Sequence, residues 1–146
     1  MMRLLGIDFG LKRIGLAVSD PSGLVARELA IIHRISNRED FERINRAAGE
    51  QQVTAIIVGL PVNDWPEAGG QNQAETVRQW VGKFRPTTNL PVIFWDEQLT
   101  TVEAREIAIR QRRKPRDPID DLAARVMLQS YLDAVRDGLA APPAVE

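Results

Sequence analysis

The chain has 146 residues, 44% of them hydrophobic, which is enough for one globular domain with its own core. With no cysteine and a single histidine, His33, disulfides, thiolate zinc sites, histidine metal clusters and serine–histidine–aspartate triads are excluded, so any metal must sit on carboxylates. Lys and Arg number 19 against 20 acidic residues, so a nucleic-acid partner would have to be met by a local basic patch.

Leu4-Leu5-Gly6-Ile7-Asp8-Phe9-Gly10 is an apolar strand with one carboxylate near its middle. A charge in a buried strand is costly unless it is paired or bound to a cation, which marks Asp8 as functional. Alternation puts Gly6 and Gly10 on the face of Asp8, where they leave space for a ligand. Ile14 to Val18 forms a second strand. Asp20-Pro21-Ser22-Gly23 suits a type I turn, and Val25 to His33 completes an antiparallel meander with the mixed polarity of a sheet edge.

Ser36-Asn37-Arg38-Glu39 has capping-box spacing, and Phe41, Ile44, Ala47 and Ala48 follow at helical intervals. Val53 to Leu60 is almost continuously apolar, as expected of a central strand that the preceding helix makes parallel to the first. A loop over 61–70 holds Asp64 and Trp65, the latter free to pack on its own domain or stack a base. Ala74, Val77, Trp80, Val81 and Phe84 mark a second helix, and Pro91 to Trp95 a fifth strand ending at Asp96-Glu97. Thr100-Thr101-Val102-Glu103 offers a second capping box, for a helix that runs into Arg110, Arg112, Arg113, Lys114 and Arg116. Asp117 caps the last helix with Pro118 in its first position, and residues 139–146 read as a flexible tail behind a single domain spanning 1–138.

Glu97 lies at the carboxyl end of its strand, where open α/β sheets bind ligands, and Asp8 lies toward the same end. Helical geometry puts Asp120 on the flank of the inward stripe and Asp121 about 100° further out, toward Arg125 and solvent. Small residues at Ala123 and Ala124 would let this helix approach the sheet. Asp8, Glu97 and Asp120 then make a hard-oxygen site for Mg²⁺ or Mn²⁺, and two such ions can clamp a phosphoryl displacement. The cations from Arg110 to Arg116, with Lys12 and Arg13, are placed to meet a nucleic-acid backbone, although a basic helix end also complements its dipole.

Gly6-Ile7-Asp8-Phe9-Gly10, Lys12-Arg13-Ile14-Gly15, Val58-Gly59-Leu60-Pro61, Asp96 to Thr101 and Ile119 to Ala124, with Leu128 to Leu132, resemble the motifs of the YqgF/RuvX family. These are ribonuclease H-like proteins described as pre-16S rRNA nucleases or Holliday junction resolvases. The resemblance implies an α/β ribonuclease H-like fold, a five-stranded mixed sheet of order 3-2-1-4-5 with helices on both faces, and Asp8, Glu97 and Asp120 as metal-binding acids. Leu11, where the family usually has Thr, and Gln98, where it usually has Arg, depart from the pattern.

The function expected is metal-dependent hydrolysis of structured nucleic acid, processing the 5′ end of pre-16S rRNA, with Holliday junction resolution as the alternative. Two readings compete from other classes: an actin- or sugar-kinase-like ATP-binding domain, suggested by the Asp-x-Gly hairpin, and a non-catalytic nucleic-acid module. No run approaches the roughly 18 apolar residues of a membrane span. A cytoplasmic monomer or homodimer is expected.

Overall fold

The computed structural model describes residues 3–61, 73–97 and 100–143, with the backbone alone at Glu97, Thr100 and Thr101. The strands are β1 (Leu4–Phe9), β2 (Arg13–Ser19), β3 (Ala26–His33), β4 (Ala55–Pro61) and β5 (Val92–Glu97). They form one sheet of order β3-β2-β1-β4-β5. β1, β2 and β3 are antiparallel neighbours, whereas β4 runs parallel to both β1 and β5. The expected strand order and directions are all present.

Alternation along the strands divides the core in two. Leu5, Ile7 and Phe9 of β1, with Ile56, Val58 and Leu60 of β4, meet helices α1 (Asn37–Glu50) and α2 (Gln73–Phe84) through Phe41, Ile44, Val77, Trp80 and Phe84. The other face of the sheet, including Leu4 and Ile57, packs on Ala124, Met127, Leu128 and Tyr131 of helix α4 (Asp120–Arg136). Helix α3 (Thr100–Arg110) lies against α4 through Ala104, Ala108, Leu122 and Val126. Among the described residues, no helix is long and apolar enough to cross a membrane.

Ser36 caps α1 as its sequence indicates, its Oγ accepting from the Glu39 N–H at 3.2 Å. The turn at Asp20 closes through Gly23 N–H to the Asp20 carbonyl at 3.0 Å, while the Asp20 carboxylate accepts from the N–H groups of Leu24 and Val25. Three expectations change. First, α4 begins at Asp120, with Ile119 as an N-cap that makes no side-chain bond. Asp117 does not cap it but accepts from the Lys114 N–H at 2.8 Å, closing a separate turn over Lys114-Pro115-Arg116.

Second, Gly6 and Gly10 do not flank open space. A Cβ on Gly6 would stand 2.9 Å from Leu128 Cβ, and one on Gly10 would stand 2.6 Å from the Arg13 carbonyl oxygen. Gly6 is a seat for α4. Third, the start of the expected tail packs back on the domain: the Tyr131 hydroxyl donates to the Ala141 carbonyl at 2.8 Å, and Pro143 is buried. The loop with Asp64 and Trp65 and the side chains of Thr100 and Thr101 lie outside the described residues.

Candidate active site

Asp8 and Gly15 face each other across the β1–β2 ladder. A Cβ on Gly15 would fall 1.8 Å from the carbonyl oxygen of Asp120 and 2.8 Å from the amide nitrogen of Asp121. Only a residue without a side chain admits the first turn of α4 at that depth. Gly15 is therefore what brings the third acid over the first, a task assigned from sequence to the alanines of α4.

Asp8 and Asp120 share a surface depression of about 340 Å³, walled by Arg13, Arg105, Arg116 and Asp117. Arg13, the first residue of β2, donates from Nε to Oδ2 of Asp120 at 2.9 Å. Its side chain is 39% exposed and that of Asp120 21%, so the pair stands at the solvent boundary. Position 97 ends β5 opposite Pro61 of β4, at the end of the parallel strands toward which Asp8 also lies. The Glu97 side chain lies outside the description, and among the described residues no three acids stand close enough to hold a metal ion together.

Asp121 is not directed to solvent. It is 7% exposed, and its carboxylate is clamped from both sides by Arg113, with Nη1 to Oδ1 at 2.8 Å and Nη2 to Oδ2 at 3.0 Å. The hydrogen bonds it donates to Asp121 hold the Arg113 guanidinium above its usual pKa. Arg113 also donates to the Pro118 carbonyl at 3.2 Å and approaches Glu28 of β3 at 4.0 Å, where Arg125 bonds Glu28 at 3.1 Å. Burial works to raise the Glu28 carboxyl, but bonds from Gln111 and Arg125 outweigh it, and the pKa lies below the usual value.

The basic run is a helix end followed by a loop. Arg113 N–H reaches the Ala108 carbonyl at 2.9 Å and Arg112 N–H the Ile109 carbonyl at 3.0 Å, with Arg112 at φ 59°. This is a Schellman cap with arginine in the left-handed position usually taken by glycine. Lys12, Arg110, Arg112, Lys114 and Arg116 are exposed and have no side-chain ion pair among the described residues, whereas Arg113 is engaged internally. Sequence reasoning passed over Arg105. Its position one turn into α3 holds no motif, and only the packing of α3 beside α4 puts it on the wall of the depression.

Residues 2–134 match the RuvX family, described as Holliday junction resolvase. A protein of Thermoanaerobacter pseudethanolicus that carries the provisional name pre-16S rRNA nuclease is 44% identical over 93% of this chain and 99% of its own. One of Carboxydothermus hydrogenoformans with the same name is 39% identical over 90% of this chain and 96% of its own. Among solved structures, Thermus thermophilus RuvC in complex with a Holliday junction substrate superposes with a TM-score of 0.63 at 19% identity, over 99% of this chain and 100% of that one. The fowlpox virus resolvase with its junction DNA gives 0.55 at 14% identity, over 92% of this chain and 99% of that one. The two structures share the fold of a five-stranded mixed sheet, and by the extent of its match the chain belongs to the RuvX family.

Proposed function

We propose that this protein is a divalent-metal nuclease that hydrolyses phosphodiester bonds in structured nucleic acid, with the 5′ end of pre-16S rRNA as its substrate. The observation that carries the reading is the seating of Asp120 through Gly15, with Asp120 and Asp8 lining one depression whose walls also hold Asp117 and three arginines. The donors suit the metal. They are carboxylates with no His or Cys, the hard-oxygen chemistry that Mg²⁺ and Mn²⁺ prefer.

In this reading Asp8 and Asp120 hold the metal together with Glu97, and two ions bind. Bound there, a divalent ion supplies Lewis acidity toward the phosphoryl oxygens and the attacking water. Arg105 and Arg116 bind the phosphates on either side of the bond to be cut, and Lys12, Arg110, Arg112 and Lys114 extend the positive surface along the backbone. Because these contacts fall on phosphates, they give affinity and register but little base specificity.

Purified protein with Mn²⁺ should be offered an RNA spanning the 5′ end of pre-16S rRNA, unstructured single strands and a four-way DNA junction. Cleavage of the RNA that needs metal and disappears in Asp8→Asn, with the melting transition retained, is the expected result. Metal-independent cleavage, or full activity in Asp8→Asn, would refute the assignment. The family's description as Holliday junction resolvase favours a second reading. Symmetric cutting of a junction needs two active sites, so that reading predicts a dimer and junction cleavage in the same panel.

A further inference from the structure

We infer that Arg13 is a displaceable stand-in for the metal: it neutralises Asp120 until a divalent cation takes the carboxylate, and the released guanidinium then turns to substrate phosphate. The inference rests on the reading of Asp120 as a metal ligand. Three acids, Asp8, Asp117 and Asp120, line the depression together with Arg13, Arg105 and Arg116, so an arginine and a bound cation would compete there for the same carboxylates. Arg13 neutralises Asp120 through the 2.9 Å contact of its Nε with Oδ2.

The neighbouring pair shows what a permanent arginine contact looks like in this fold. Arg113 grips both oxygens of Asp121, and the side chains of the two are 22% and 11% exposed. Arg13 is 39% exposed against 21% for Asp120. A solvent-facing pair of this kind is weak and screened by salt, so a divalent ion competes with it successfully. Arg13 stays tethered to β2 when it lets go, in the depression that Arg105 and Arg116 also line, within reach of the nucleic-acid backbone. Metal loading and substrate binding are thereby coupled, and linkage makes the coupling reciprocal.

The test is Mn²⁺ titration by calorimetry at low salt on wild type, Arg13→Gln, Asp120→Asn and the double variant, each first shown to keep its melting transition. Removing the competing cation should tighten Mn²⁺ binding by up to about fivefold in Arg13→Gln, the factor that a solvent-facing pair allows. The gain should fade at high ionic strength and vanish in the Asp120→Asn background, where there is no carboxylate to contest. Unchanged or weaker Mn²⁺ affinity in Arg13→Gln, with Asp120→Asn still weakening it, overturns this inference alone. Equal Mn²⁺ affinity in wild type and Asp120→Asn removes the metal assignment of Asp120, and this inference with it.

Discussion

Asp120 and Asp121 are adjacent on one helix turn, and each meets an arginine from far or near in the chain, yet the two pairs differ in kind. Asp120–Arg13 is a single-point contact at the solvent boundary, facing the depression that holds Asp8. Asp121–Arg113 is a two-point clamp beneath the surface, braced by Glu28 on the edge strand, which Arg125 of α4 also holds. An exposed pair is worth about 0–1 kcal/mol, whereas stripping one partner from a buried pair costs about 3–5 kcal/mol. The same chemistry thus serves to fasten the helix in one place and to present a carboxylate in the other.

The comparison breaks most completely if the helix is lifted from the sheet. Gly15→Ala puts a methyl group into the Asp120 carbonyl, and since the contact is backbone the helix must move. Overpacking of this kind costs about 1–3 kcal/mol and should abolish cleavage, because Asp120 leaves Asp8. Thermal unfolding and turnover measured together check this, and an unchanged melting temperature with wild-type turnover would show that α4 is not seated there.

An effect on stability alone, with cleavage chemistry left in place, separates the two arginines. Arg113→Ala should lower stability by about 3 kcal/mol, toward the low end of the cost for a buried pair because Arg113 keeps some exposure. Arg13→Gln should change stability by less than about 1 kcal/mol. Urea denaturation of both variants gives the two values, and equal losses would erase the distinction.

Acid sharpens the comparison further. Glu28 titrates below its usual value in the folded protein, so its contribution to stability is present above the unfolded-state pKa of about 4.3 and is lost as pH falls through the lowered folded pKa. Glu28→Gln should therefore flatten part of the loss of stability between neutral pH and pH 3. A slope identical to wild type over that interval would place Glu28 outside the fastening network.

The smallest expected change lies at the cap that precedes both pairs. Arg112 occupies the left-handed position of the α3 cap, while the matching cap of α4 has Gly138 at φ 76°. A side chain there costs roughly 1–2 kcal/mol, partly offset by the chain entropy of glycine, so Arg112→Gly should raise stability by up to about 1 kcal/mol. It should also weaken nucleic-acid binding by about one phosphate contact in the salt dependence. A destabilised Arg112→Gly would contradict the cap geometry.

Local periodicity made the strands and the long helices legible, since each depends on a spacing of two or of three to four residues, whereas the full strand order was legible only through the resemblance to the YqgF/RuvX family. What escaped depends on neighbours distant in sequence. Gly6 and Gly15 look like gaps in a strand until α4 is placed on them, more than a hundred residues later. Asp117 has the right spacing for a cap but is claimed by the Lys114 N–H, so α4 starts at Asp120. Asp121 was expected in solvent from helical angle alone, and Arg113 was read with the phosphate contacts, yet the fold turns each toward the other. Asp40, fully buried and held by Arg34 at 2.9 Å and by the Ile35 N–H, gave no signal among the polar residues of α1.

The central claim is that α4 presents Asp120 to chemistry and commits Asp121 to structure. Cleavage of the pre-16S RNA by Asp120→Asn and Asp121→Asn, at saturating Mn²⁺ and a temperature where both remain folded, tests it most directly. Turnover should fall by more than about a hundredfold in Asp120→Asn, beyond what an outer partner of a metal site contributes, with its melting temperature kept. Asp121→Asn should melt earlier yet retain most of its turnover. A dispensable Asp120 beside an essential Asp121 would contradict the account.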